Sequence, residues 1–331
     1  MLHLTSIGAA SSGRPAPIGR PLRALAAAGV AALALTLAPA AQAAGPPTVT
    51  TGSAHGVTYQ SATLTGSVRP NGSDTSYYFQ YGPTRSYGAQ TAIANAGAGS
   101  ATVNVSLAAS GLQPLTQYHY RLVAVNAAGP TLGSDRTFMT TKVPLSLAIV
   151  ATPNPVLYGG TATVQGTLSG TENAGRAVIL QANQFPFAAG FQNDGNPELT
   201  SATGGFSFPV LGLTLVTQFR VVTTTNPQVV SPTAVEQVAV RVLSHVRRTR
   251  RAHFARIYGT VTPAEDGAQV GILRITRGRG VLVGGTTLRH RIATTSTFSK
   301  VVRVRRGIYR VLVRVTSGAQ VSSYSQPIAI R

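Results

Sequence analysis

The sequence has no cysteine and no tryptophan, and its 331 residues include only two lysines, Lys142 and Lys300, and eight acids. Without cysteine there are no disulfides, no thiolate metal site, no cysteine nucleophile and no lipobox for a lipid anchor. Without tryptophan the usual flat platform for stacking sugar rings is missing. Charged residues are only 11% of the chain, and no stretch beyond residue 43 is apolar for 18 residues, so no membrane-spanning helix is expected there. Glycine (35) and proline (20) are plentiful and β-branched runs recur throughout, a profile of all-β modules rather than of helical bundles or disordered chain.

The N-terminus reads as a leader. Arg14, Arg20 and Arg23 precede the apolar stretch Ala24 to Ala38, and Ala41-Gln42-Ala43 offers the small-x-small pattern accepted by signal peptidases. The apolar core is about 15 residues, short of the roughly 20 that span a bilayer, so residues 1–43 are expected to be a cleaved signal peptide rather than an anchor. No Arg-Arg pair lies upstream, which favours the general export route. The C-terminal Pro327-Ile-Ala-Ile-Arg331 shows no sorting motif. The expectation is an exported, soluble protein, extracellular or associated with the cell surface.

About 288 residues remain, enough for two or three domains. Their charge is uneven. Residues 44–142 carry +3, residues 143–242 carry −1, and residues 243–331, with 17 cations against two acids, carry +15. A chain-wide preference for arginine would spread the charge, so the basicity belongs to one segment.

Between Pro46 and Lys142, strand-like runs alternate with Gly, Pro and Asn turns: Ala62 to Val68, Thr75 to Tyr81, Ala101 to Leu107 and Tyr118 to Val125. Such spacing reads as a sandwich. Thr63-Leu-Thr-Gly-Ser-Val-Arg-Pro-Asn-Gly72, Tyr78-Phe-Gln-Tyr-Gly82, Leu112-x-Pro114-x-Thr116-x-Tyr118-x-Tyr120 and Ala124-Val-Asn-Ala-Ala-Gly129 together resemble a bacterial fibronectin type III domain, over residues 44–142. The resemblance implies that Tyr118 is a tyrosine-corner residue, with its ring in the core and its hydroxyl returned to the backbone. Leu64 stands where many relatives carry Trp. No Arg-Gly-Asp occurs, so integrin-type recognition has no support.

The next two segments repeat each other. Gly166-Thr-Leu-Ser-Gly is echoed by Gly259-Thr-Val-Thr-Pro, Phe206-Ser by Phe298-Ser, and Phe219-Arg-Val-Val by Tyr309-Arg-Val-Leu, at offsets of 93, 92 and 90 residues. A register this steady indicates two copies of one sandwich, residues 143–242 and 243–331. The pattern, with Thr203-Gly-Gly-Phe-Ser-Phe208, resembles bacterial Ig-like repeats of secreted actinobacterial proteins. The fold expected is therefore three tandem β-sandwiches, the last of them rich in arginine.

Candidate sites are few. The Phe185, Phe187 and Phe191 cluster in a long connection reads either as a cap folded over the open end of a sandwich or as a ligand patch. Asn193, Asp194, Asn196 and Glu198 offer oxygens, but two carboxylates are a thin calcium site and Asn-Asp-Gly-Asn is also simply a turn. The acids and the histidines His55, His119, His245, His253 and His290 form no metal-binding helix, nucleophile elbow or phosphate loop. Glu265 and Asp266 are adjacent on the chain and so point to opposite faces. Neither catalytic residues nor a metal or other cofactor are expected.

The arginines carry the chemistry. In Tyr309 to Val315 the residues Tyr309, Val311, Val313 and Val315 share one face and Arg310 and Arg314 the other, and Arg303 and Arg305 oppose Val302 and Val304. With Arg274, Arg277 and Arg279 these read as an exposed guanidinium stripe. Its expected partner is an anionic cell-wall polymer or acidic polysaccharide. Nucleic acid ranks lower because few aromatics interleave with the arginines. The bland alternatives are a basic face kept for solubility and a spacer or accessory role beside extracellular polysaccharide hydrolysis.

Overall fold

The computed structural model describes residues 45–331, and the expected signal peptide, residues 1–43, lies outside the described residues. Every regular element among the described residues is a β-strand, and no helix there is long and apolar enough to cross a membrane. The strands form three successive sandwiches, each with its own core cluster. The described residues thus form an all-β series of three sandwiches.

In the first, the sheet of Thr48–His55, Ser61–Arg69 and Val103–Ser110 faces the sheet built on Thr75–Gly82 and Gln117–Asn126, with Leu64, Phe79, Tyr120 and Leu122 buried between them. In the second, Ser146–Thr152, Gly160–Ser169 and Gly205–Leu213 face the sheet built on Ala177–Gln184 and Thr217–Thr223, over Leu168, Leu180 and Phe219. In the third, a four-stranded sheet runs in the order Arg241–Arg248, Phe254–Thr262, Thr295–Arg303, Arg289–Ile292. It faces a sheet in which Gln269–Thr276 lies between Arg279–Thr287 and Gly307–Arg314. The first strand of this third sandwich starts at Arg241, two residues ahead of Leu243.

Period-two alternation places the side chains. Along Phe254–Thr262 the residues Ala255, Ile257, Gly259 and Val261 are buried, while Arg256 and Tyr258 are exposed. The repeat noted in the sequence has a packing basis at Gly259. A β-carbon there would come within 1.9 Å of the Leu243 carbonyl oxygen and 2.8 Å of the Phe298 ring, and Gly166 is confined in the same way by the Ala148 carbonyl and Phe206. In each copy a glycine is the register partner of a phenylalanine whose ring occupies the space a side chain there would need.

A second device recurs in all three sandwiches and is invisible in the sequence. The hydroxyls of Thr91, Ser231 and Ser325 accept from the backbone N–H of Phe79, Val221 and Val311 and donate to the carbonyls of Ala92, Pro232 and Gln326. Each satisfies a buried strand amide that the neighbouring strand does not reach. Tyrosine corners supply a third. Tyr118 is buried, stacks on Phe138 at 5.6 Å, and its hydroxyl accepts from Gln113 N at 3.0 Å. The buried Tyr309 hydroxyl accepts from Arg305 N and donates to Arg305 O, both at 2.9 Å.

The second and third sandwiches are sewn together. Val240, fully buried, is the one residue between the strand Val238–Ala239 and the strand Arg241–Arg248. Val240 N donates to Val321 O, Val321 N to Val238 O, Val216 N to Ala319 O, and the Gln320 amide to Thr214 O. The Phe185 ring lies against Gly318.

Candidate anion-binding surface

The structure divides the seven candidate arginines between two sheets. Arg303 ends a strand of the four-stranded sheet and Arg305 lies in the turn that follows; both are exposed. Arg277, Arg279, Arg310 and Arg314 belong to the opposing sheet. Arg277 and Gly278 form a two-residue hairpin tip in which both have positive φ, the geometry that matches strand twist. Arg310 is half-buried, its Nε donating to Ser325 O and its guanidinium lying 5.1 Å from the Tyr324 ring centre. Arg274 is also half-buried: it donates to Arg306 O, and its Nε is buried without a partner. The residues read from the sequence as one stripe thus sit on two sheets, with two of the seven partly withdrawn into the fold.

What the structure gathers instead is a groove of about 910 Å³ along the four-stranded sheet, lined by Arg247, Arg256, Arg289, Arg291 and Lys300. All five are exposed, and none of their side chains has a hydrogen-bond or ion-pair partner among the described residues. No acid lines it. Its floor carries Tyr258 and His245, directly opposite on neighbouring strands with ring centres 5.6 Å apart, and the hydroxyl residues Thr260, Thr297 and Ser299. Arg256 was legible in the sequence only as one outward residue of an alternating strand. Its meeting with Arg247, Arg289 and Arg291 depends on strand order.

A second concavity of about 700 Å³ lies at one end of the same sandwich and includes Arg248, Arg250, Arg251, Arg305 and Arg306. The Arg251 guanidinium lies 4.2 Å from the Phe254 ring centre.

The acids point elsewhere. Asp266 accepts from Ser296 Oγ and pairs with His290 Nδ1 at 2.8 Å, and these hydrogen bonds, that of Ser296 first, hold its carboxyl below the usual range. Serine, aspartate and histidine are in contact here, but the aspartate lies between the other two, so the histidine does not take the serine proton as a hydrolytic triad requires. Glu265 turns away to Ser317, and burial pushes its carboxyl up. In the first sandwich Asp135 gathers His119 at 2.9 Å, Tyr87 at 3.1 Å and Arg85 at 3.2 Å. Desolvation pushes the Asp135 carboxyl up, but the hydrogen bonds from His119 and Tyr87 outweigh it and the net effect is a lowering.

Asn193 and Glu198 lie on short exposed edge strands, Asn193 bonded to Gln181, and among the described residues no three His, Asp or Glu cluster as a metal site. The three phenylalanines are half-buried: Phe185 meets Phe187 edge-on at 5.7 Å and reaches the third sandwich at Gly318, while Phe191 lies under Arg220 at 4.2 Å. Phe185 therefore belongs to the seam between sandwiches.

No family model and no curated protein matches the sequence. Among solved structures the chain is similar to the FN1–FN3 domains of chicken CNTN1, with 12% identity, TM-score 0.30, and coverage of 86% of this chain and 96% of that one. It is also similar to a segment of titin, with 14% identity, TM-score 0.35 and coverage of 86% and 99%. A third is a tetra-tandem repeat from the extending region of a large adhesion protein, with 15% identity, TM-score 0.29 and coverage of 87% and 74%. With TM-scores below 0.5 and identities below 25%, these likenesses carry no information about function.

Proposed function

We propose that the chain is an exported, non-enzymatic binding protein whose third sandwich docks on anionic polymers of the cell envelope, presented in series with two nearly neutral sandwiches. The observation that supports this most directly is the excess of cations. Residues 243–331 hold 17 cations against two acids, and the one ion pair among them is His290–Asp266. Nothing inside the sandwich neutralises this charge. Sixteen of the 17 are arginines, which stay charged at any physiological pH and grip phosphate and carboxylate bidentately. A field of this size concentrates anions at the surface and speeds encounter.

The test is retention of the whole chain on immobilised teichoic acid, polygalacturonate and a neutral dextran control. Retention on the anionic resins at low salt, with steep release as salt rises, is expected, because each polymer charge engaged displaces a counterion. A chain that runs through all three resins at low salt would leave the basic surface as a solubility feature and make the spacer reading the better one.

A further inference from the structure

The structure assigns the groove over the four-stranded sheet of the third sandwich as the seat of an acidic polysaccharide, sugar rings bearing carboxylate, with Tyr258 under a ring and Arg247, Arg256, Arg289 and Arg291 on its acid groups. This rests on the polyanion reading above and narrows it to one place and one ligand class.

Three observations carry it. First, Arg247 and Arg256 are register partners on neighbouring strands, so two guanidinium side chains leave the sheet side by side on one face. Like charges directly opposite each other destabilise a sheet, and here no acid lines the groove and neither guanidinium makes an ion pair or hydrogen bond among the described residues. An arrangement that works against the fold is expected where a bound ligand compensates it. Second, the next register pair along the same face is His245 and Tyr258, and Tyr258 is 38% exposed, which leaves one ring open beside the cations. Third, the rest of the lining includes five hydroxyl residues, Thr260, Thr286, Thr287, Thr297 and Ser299, which both donate and accept, beside the apolar Val301 and Phe298.

A carboxylated pyranose presents these features in the same order: an acid group, a C–H face that lies on an aromatic ring, and hydroxyls that need partners of either polarity. A polyphosphate has no ring for Tyr258. A nucleic acid strand has, but it calls for successive stacking platforms, whereas the groove offers Tyr258 and the adjoining His245. At about 910 Å³ the groove lies at the upper end of ligand pockets, about 300–1,000 Å³, enough for a short oligosaccharide.

The experiment is titration of the full chain with oligogalacturonate, inorganic polyphosphate and poly(dT), in the parent and in three variants. Tyr258→Ala is expected to weaken oligogalacturonate roughly tenfold and leave polyphosphate unchanged. Arg256→Gln is expected to weaken oligogalacturonate and to raise the melting temperature of the third sandwich, since it removes one of two opposed charges. A variant outside the groove, Arg277→Gln with Arg279→Gln and Arg314→Gln, is expected to keep oligogalacturonate binding within a few-fold after allowance for net charge. If the groove variants bind as the parent does while the outside variant loses binding, the polyanion reading stands and this site assignment falls. Poly(dT) bound more tightly than oligogalacturonate in a Tyr258-dependent way would replace the glycan by a nucleic acid. A fall in both affinity and melting temperature on Arg256→Gln would make that arginine structural and overturn the inference. Failure of the parent to bind any of the three polymers would sink the polyanion reading itself.

Discussion

Changing Tyr309 to Phe tests how the third sandwich holds its shape. The ring is buried and remains, but the hydroxyl that closes the turn before the strand Gly307–Arg314 is lost, and with it two hydrogen bonds to Arg305. A partly buried amide left unpaired costs about 1–3 kcal/mol. Taking about 2 kcal/mol, and about 4–8 °C per kcal/mol for a domain of this size, the transition of the third sandwich should fall by roughly 8–16 °C. The repeat supplies an internal comparison, because Phe219 holds the corresponding place in the second sandwich with no hydroxyl to lose. Calorimetry of the whole chain, with hydrogen exchange read at the amides of Gly307–Arg314 and at those of the first sandwich, separates a local effect from a global one. A shift of less than about 2 °C, well under the minimum expected from these values, would show that water replaces the hydroxyl at little cost and that the corner is not a stabilising device. Equal loss of protection in the first sandwich would show that the effect is not local.

Tyr118→Ala should cost the first sandwich about 3–5 kcal/mol through lost ring burial, seen as early melting of that sandwich with the other two unchanged. Glu236 is fully buried, with one carboxylate oxygen accepting from Val156 N and the other unpartnered, and burial raises its pKa above the ordinary 4.5. A raised acid is protonated in both states below pH 4.5 and ionises first in the unfolded chain above it, so the second sandwich should lose stability as pH rises from 4.5 to the folded-state value. Glu236→Gln should stabilise that sandwich at neutral pH, with the gain fading on acidification. Urea unfolding at pH 4 and pH 7 reads both, and equal effects at the two pH values would rule out the ionisation account. Trypsin should cut after Lys142 and release the first sandwich, and should nick the exposed turn at Arg250 and Arg251 while the second and third sandwiches stay together by native mass. Release of a free third sandwich would contradict the seam.

Much of the fold was legible because alternation is a local signal. Tyr309, Val311 and Val313 are buried and Arg314 is exposed, as their spacing along one strand requires. Gly166 and Gly259, each opposite a phenylalanine, explain why the repeat kept its register. The basic surface was legible only in amount. Alternation places Arg310 outward but does not foresee Ser325 O and the Tyr324 ring, which draw it partly in; for Arg274 the Arg306 carbonyl does the same. The groove needed more still, since Arg247, Arg256 and Arg289 sit on three different strands, and whether they meet depends on pairing across up to 42 residues of sequence. The buried Thr91, Ser231 and Ser325 look in the sequence like ordinary turn residues, because the amides they satisfy lie 10 to 14 positions away.

The seam at Val240 also bears on motion. A flexible linker would let the third sandwich tumble on its own and sweep a volume for its ligand, at an entropic cost once the ligand held it. With Val240 buried and Val321 bonded on both sides of it, there is no slack to swing on. The second and third sandwiches should reorient with a single rotational correlation time, and a polymer that docked on the third would be held at a fixed orientation to the second. Anything the second sandwich touched would thereby be aligned with that polymer.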